Sequence, residues 1–222
     1  MKDNGTELES ILKDKNLQDA SKELVEVGLD AVLEDGLVKD IPIIGTLSSL
    51  IKVGRNISDR LFAKKILAFL VCIDGVSVLD RQSMIDKIND SKKYKVKVGE
   101  KLLFMLDKAD DDEKASWIGQ LFKAYLEKKL SYQDFLLGSK LLNAIDRESF
   151  LNFLDLNSEY MVTIDYELSD YSDFYWTLIS SGFYSLNVES TNGEINTNGD
   201  LRVKQTMHLT SIGDKIYRNF KS

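Results

Sequence analysis

The sequence has one cysteine, one histidine and one proline in 222 residues. A lone Cys72 excludes an intramolecular disulfide, and sparse cysteine points to a reducing compartment. A lone His208 leaves any zinc site to be built mostly from carboxylates, an unusual donor set. A lone Pro42 suits a chain dominated by helices, whose interiors proline breaks. No apolar run approaches the roughly 18–20 residues of a spanning helix. A phosphate-binding glycine loop, a dinucleotide fingerprint and a nucleophile elbow are missing too. Positive charge is in deficit: 29 Lys and Arg stand against 36 Asp and Glu, a net charge of −7. That disfavours nucleic acid as a partner, because its binding relies on cations at phosphates. The opening residues, MKDNGTELES, are acidic and polar, unlike a secretory leader, so a cytoplasmic location is expected.

The chain is long enough to bury a real core, and 43% hydrophobic with 29% charged residues describes a folded protein. Thr6 and Glu9 have the spacing of a capping box, which predicts a helix start at Thr6. Leu24, Val25, Gly28, Leu29, Val32 and Leu33 form one apolar face of a helix from Leu17 to Glu34, with Gly36 as its stop. Phe62, Ile66, Phe69, Leu70 and Ile73 share the next stripe, which ends at Asp74-Gly75. Further helices follow through VLDRQSMIDKIND, through Val98, Leu102, Leu103 and Leu106, and through Ile118, Phe122, Tyr125 and Leu126. SKKYK reads as a basic loop or helix end. Ser131 and Asp134 signal a cap before Phe135, and DRESFLNFLDL gives one more short helix.

After about Asn157 the texture changes. YMVTIDYE is compatible with a short strand, DYSDFYWTLISSG with a helix ending at Gly182, and FYSLNVES with a strand. TNGEINTNGD holds two Asn-Gly turn signals, and LRVKQTMHL alternates as a half-buried strand does. Thr210 then caps a final helix, SIGDKIYRNF. Helix, strand, long hairpin, strand and helix predict a winged-helix-like domain over residues 158–222. It follows an N-terminal helical bundle over 1–157. The expected fold class is mainly α with a small α+β part.

Catalytic candidates are few. His208 reads better as a strand residue than as a general base or metal ligand. Cys72, in AFLVCID, reads as a small buried hydrophobe, with no local group to activate it. Asp110, Asp111 and Asp112 lack the glycine of a calcium loop and read as the cap of the next helix. Asp146-Arg147-Glu148 is ordinary for a helix start. No enzyme activity, metal or cofactor is expected. In the C-terminal part, about eight acids stand against five bases from Tyr160 onward. The helix in the recognition position has no Lys or Arg. Its aromatics Phe174, Tyr175 and Trp176 have the spacing of core residues, and equally, with Arg202 and Lys204 beyond the hairpin tip, they are the candidate interaction face. That face fits a protein partner better than DNA.

The stretch Asp40–Ile73 reverses the overall charge. Ile43, Ile44, Leu47, Leu50 and Ile51 give it an apolar face. Lys52, Arg55, Arg60, Lys64 and Lys65 flank that face. Gly45 and Ser49, four apart, permit close helix approach. Cations beside an apolar face are the form of a helix that lies on an anionic membrane. The same face serves equally as a core helix, since burying four or five such side chains is worth roughly 1.5–3 kcal/mol each. Both readings stay open, and a helix sheltered in one state and released in another would satisfy both.

Two segments, DIPIIGTLSSLIKVGRNISDRLFAKKILAFL and MHLTSIGDKIYRNF, resemble the abortive-infection alpha family of bacterial phage-defence proteins. Together they cover about a fifth of the chain. The resemblance implies an intracellular defence protein that acts at a membrane, and it brings no catalytic residues with it. The sequence therefore predicts a non-enzymatic defence effector or accessory protein with a membrane-active or partner-binding element over Pro42–Ile73. A protein partner is expected first and an anionic membrane surface second, with a peripheral place at the inner membrane in the second case. No oligomeric state is assigned. The alternative is a cytoplasmic adaptor or regulator whose C-terminal domain binds a protein or, less favoured, DNA.

Overall fold

A computed structural model describes residues 4–27, 57–156, 163–164, 173–195 and 201–221. Among these residues the chain is mainly helical, with a small antiparallel sheet. The helices are α1 (Asn4–Leu12), α2 (Leu17–Val27), α3 (Ile57–Val71), α4 (Val78–Asn89), α5 (Val98–Lys108), α6 (Asp112–Leu126), α7 (Tyr132–Ala144) and α8 (Arg147–Asp155). Then come β1 (Thr163–Ile164), α9 (Asp173–Ser181), β2 (Tyr184–Ile195), β3 (Leu201–Leu209) and α10 (Ser211–Lys221). The chain divides into two compact units, Met1–Ser139 and Lys140–Ser222. The division precedes the change of sequence texture near Asn157. The reason is aromatic packing: Phe153 of α8 meets Phe183 at 4.7 Å and Tyr217 at 5.8 Å, so α8 belongs with the strands that follow.

In the first unit α3 packs on α6. The stripe of Ile66, Phe69, Leu70 and Ile73 is buried as its spacing predicts, as are Ile118, Phe122, Tyr125 and Leu126. Phe69 and Phe122 meet at 5.6 Å. A side chain at Gly119 would stand 2.8 Å from Cys72 Cβ and from the Phe69 carbonyl, so glycine sets how close the two helices come. The α1–α5 crossing is tighter still. A Cβ on Gly99 would lie 2.0 Å from the Gly5 carbonyl oxygen. There the backbones themselves are in contact.

That crossing explains why the expected start of α1 needs correction. The helix begins at Asn4, ahead of Thr6. Glu9 does not close a capping box on Thr6. It is buried, and its carboxylate caps another helix: Oε1 accepts the Gly99 N–H at 2.9 Å and Oε2 accepts from Asn89 Nδ2 at 2.7 Å. Asn89 Oδ1 in turn accepts the Val98 N–H at 3.0 Å. The start of α5, whose own N-cap Lys97 gives no side-chain bond, is thus capped by α1 and α4. A carboxylate at that end also meets the positive end of the helix dipole.

Arg81 of α4 is the largest fully buried side chain in the chain's described core. Its Nε donates to the Leu12 carbonyl at 2.7 Å and its Nη2 to the Asp14 carbonyl at 2.6 Å. Its Nη1 donates to the Val76 carbonyl. Leu12 ends α1, where orphan carbonyls carry partial negative charge. Burial pulls the Arg81 pKa down, and nearby Asp14 opposes that. A guanidinium nevertheless stays charged in proteins, and its planar fork matches three converging carbonyls.

In the second unit β2 and β3 pair as a long antiparallel hairpin from Tyr184↔Leu209 to Ser190↔Val203, with an irregularity before Ile195↔Leu201. The short β1 pairs antiparallel with the other edge of β3, so the strand order is β1-β3-β2. Gly182, with φ +91°, stops α9 in a conformation that suits glycine. Thr210 caps α10 as its position predicts. Its Oγ1 accepts the Gly213 N–H at 3.1 Å and donates back to the Gly182 carbonyl at 2.9 Å. Phe150, Phe153, Phe183 and Tyr184 fill the space between.

Arg81→Met keeps much of the volume and strands three carbonyls, those of Leu12 and Val76 in buried hydrogen bonds and that of Asp14 in a half-buried one. Unfolding in urea is expected to show a loss of about 3 kcal/mol, since unsatisfied buried groups cost about 1–3 kcal/mol each and repacking recovers part. A loss under about 1 kcal/mol would show that the guanidinium does not hold this unit together.

Candidate functional site

The groups that resemble catalytic machinery are occupied by structural work. Asp111 is the N-cap of α6, its side chain accepting the Lys114 N–H at 2.8 Å, and Asp110 meets Lys114 Nζ at 2.5 Å. Asp146 is the N-cap of α8, accepting the Ser149 N–H at 2.8 Å. Hydrogen bonds from Ser149 hold its carboxyl below the usual range. His208 lies in β3 opposite Ser185, whose hydroxyl donates to the His208 carbonyl at 3.3 Å. Cys72 lies just past α3, its Sγ within 3.3 Å of the Ala68 carbonyl. Burial pushes its pKa up to about 11, with Lys123 acting in the opposite sense. Among the described residues, no group of three His, Cys, Asp or Glu side chains is placed to hold a metal.

Of the basic, apolar element expected over Pro42–Ile73, the residues Ile43, Ile44, Leu47, Leu50, Ile51, Lys52 and Arg55 lie outside the described residues. The rest falls on α3. Lys64 Nζ approaches the Asp112 carboxylate at 3.6 Å. Lys65 Nζ donates to the Ala109 carbonyl at 2.8 Å and the Asp107 carbonyl at 3.3 Å, the backbone at the end of α5. Both lysines therefore join helices within their own unit. Arg60 is exposed, and so are its apolar neighbours Ile57 (77%) and Leu61 (57%). No described helix is long and apolar enough to cross a membrane.

The C-terminal face is better defined. Asp173 to Ser181 form α9, which contains no Lys or Arg. Leu178 and Ser181 face inward. Phe174 and Tyr175 are half-buried against each other, ring centres 5.3 Å apart. Trp176 is 41% exposed. Arg202 and Lys204 lie on β3, with Lys204 opposite Glu189 in the register. The helix and the strand pair thus bring the expected residues into one unit, and the helix carries aromatic surface without cations.

A second feature has no counterpart in the sequence reading. A cleft of about 570 Å³ opens in the helical unit, with Tyr94, Tyr125 and Tyr132 in its wall and Lys87, Lys128 and Lys129 among its lining residues. Its traces in the sequence are two short runs, SKKYK at 91–95 and LEKKLSY at 126–132, each placing lysines beside tyrosine. No protein-family model, curated protein or solved structure matches the chain.

The Cys72 environment sets a reactivity. At pH 8 its thiolate fraction should be on the order of a hundredfold below that of an unshifted thiol, and alkylation by iodoacetamide correspondingly slower in the folded than in the urea-unfolded protein. The sign for stability follows: the raised folded pKa favours the fold fully below pH 9, and that contribution is lost as pH rises toward 11. Equal alkylation rates in the folded and unfolded states would refute a structural role for this thiol.

Proposed function

We propose that the chain is a non-enzymatic binding protein of bacterial phage defence, whose C-terminal unit is a winged-helix-like module that docks a protein partner. The defence context rests on the resemblance of Asp40–Leu70 and Met207–Phe220 to the abortive-infection alpha family. The module rests on element order and pairing: α8, β1, α9, the β2–β3 hairpin and α10, with β1 added to β3. In that arrangement α9 occupies the recognition position. One observation carries the choice of partner, namely Trp176 exposed on a helix without a single cation. A DNA reader presents Lys or Arg to phosphates and bases from that helix. Exposed tryptophan beside tyrosine is instead the composition of a protein-binding hot spot.

A photo-crosslinking amino acid at position 176, in cells that make the protein, should trap a discrete protein adduct. The same group at the exposed Lys95 of the other unit should not. Adducts at both positions, or at neither, would count against docking through α9. Tight binding of duplex DNA at physiological salt would replace the protein partner with a nucleic acid.

A second reading places the chain on an anionic membrane through the element that begins before α3. The exposed pair Ile57 and Leu61, with Arg60 between them, supports it. Flotation with anionic liposomes tests it. An Ile57→Glu, Leu61→Glu variant alters only exposed side chains, so it should stay folded and lose flotation that the unaltered protein shows. If the unaltered protein stays at the bottom of the gradient, α3 has no membrane role.

A further inference from the structure

We propose that the tyrosine–lysine cleft of the helical unit binds a free aromatic anion of nucleotide size. The cleft belongs to the first unit, and the inference does not depend on the docking role given to the second. Its volume of about 570 Å³ lies within the ordinary range for small-molecule sites. Its composition is divided in a way that suits one class of ligand. Met84, Ile88 and Leu130 supply apolar surface, and the tyrosines supply rings. Tyr94 and Tyr132 meet edge to face at 4.9 Å, and Tyr125 and Tyr132 are tilted at 5.3 Å. Tyr125 is fixed by donating its hydroxyl to the Met84 carbonyl at 2.7 Å. Tyr125 and Tyr132 are themselves buried and back the cleft, so the half-buried Tyr94 ring is the one on which a flat ring can stack without the wall first having to order itself.

The charged lining has one sign. Lys87, Lys128 and Lys129 line the cleft, and no Asp or Glu does. The adjoining loop, Ser91 to Lys97, adds four lysines and no acid in a protein of net charge −7. Lys93 Nζ lies 5.4 Å over the Tyr94 ring. Two of the lining lysines have partners: Lys128 meets Asp80 at 3.4 Å and Lys129 meets Glu127 at 2.6 Å. These are surface pairs worth little, so an anion with several oxygens can displace them.

The backbone offers an independent sign. Lys128 has φ +64°, and it is the one non-glycine residue with positive φ among the described residues. It closes the end of α6, where the Lys129 and Leu130 N–H groups both return to the Ala124 carbonyl. Glycine is the economical residue at such a helix end. A lysine there accepts strain and places its cation on the cleft. Strain of that kind is kept at functional sites.

Calorimetric titration of the full-length protein with ATP, AMP, adenosine and inorganic phosphate tests the assignment. ATP should bind one to one. Adenosine and phosphate should each bind at least about tenfold more weakly, since neither supplies both the ring and the charges. Lys87→Ala with Lys129→Ala, and separately Tyr94→Ala, should weaken ATP binding about tenfold or more. Lys128→Gly separates function from folding: it should raise the melting temperature by relieving strain and still weaken ATP binding. Four results would each overturn the proposal: no heat from ATP at millimolar concentration, adenosine binding as tightly as ATP, ATP binding that the lysine variants leave unchanged, or a Lys128→Gly variant that is stabilised with unaltered affinity.

Discussion

A buried guanidinium without a buried carboxylate is the constraint on which the helical unit depends. The donors of Arg81 are met by carbonyls from the end of α1, the turn after it and the turn before α4, with Asp14 nearby as the counter-charge. Leaving water costs a cation heavily unless its donors are satisfied. Here converging carbonyls recover that cost only if α4 sits at one height and one rotation. Everything else that α4 does follows from that position. One turn on, the Met84 carbonyl receives the Tyr125 hydroxyl. Two turns on, Asn89 joins Glu9 and caps α5. Between them Lys87 and Ile88 turn to the cleft. A short helix with modest amphipathicity thus orients three neighbours, because a single side chain fixes its register.

The same economy explains the glycines. Where α1 crosses α5 and α3 crosses α6, no side chain fits, and the helices lie backbone to side chain or backbone to backbone. At the α3–α6 crossing the close approach brings Phe69 onto Phe122, whereas at α1–α5 it serves polar groups. There it brings polar ends close enough for Glu9 to reach the start of α5, which a crossing spaced by leucines would prevent. Close approach is what allows one helix to cap another. In the C-terminal unit the corresponding part is played by Thr210 and Gly213. A Cβ on Gly213 would lie 2.5 Å from the Phe183 carbonyl, so the last helix packs tightly on the turn that follows α9. Aromatic rings around Phe153 fill the remainder.

The elements were legible in the sequence wherever the signal is local. The stripe from Ile66 to Ile73 and the caps at Asp111, Ser131, Asp146 and Thr210 depend on spacings within one or two turns. The strands on either side of Asn198-Gly199 are legible for the same reason, but the turn expected at Asn192-Gly193 is not found, since β2 runs through that pair to Ile195. Glu9 was misread because its spacing to Thr6 is local and its true partner is 90 residues away. Arg81 gave no signal at all: within VLDRQSMIDKIND it is one charge among several on an amphipathic helix. Lys64 and Lys65 carry the same ambiguity. A cation at helical spacing looks alike whether it awaits a membrane or, like Lys65, closes the carbonyl end of a neighbouring helix. The cleft was hidden by distance, since its two lysine and tyrosine runs lie 31 residues apart or more and only folding joins them.

Many of the polar groups among the described residues hold the fold together. A catalyst needs a nucleophile, acid or base whose hydrogen bonds are not already committed and whose pKa lies near the working pH. Among the described residues several polar groups are committed to caps and crossings: Glu9 to α5, Asp146 to α8, Arg81 to three carbonyls. The titratable groups with large shifts move away from neutrality, Cys72 up to about 11 and Tyr132 up to about 12, both chiefly through burial. Burial holds the Tyr132 phenol in its neutral form, and the Tyr125 hydroxyl is already given to the Met84 carbonyl. The indole of Trp176 is exposed on one unit, and rings lie beside lysines in the cleft of the other.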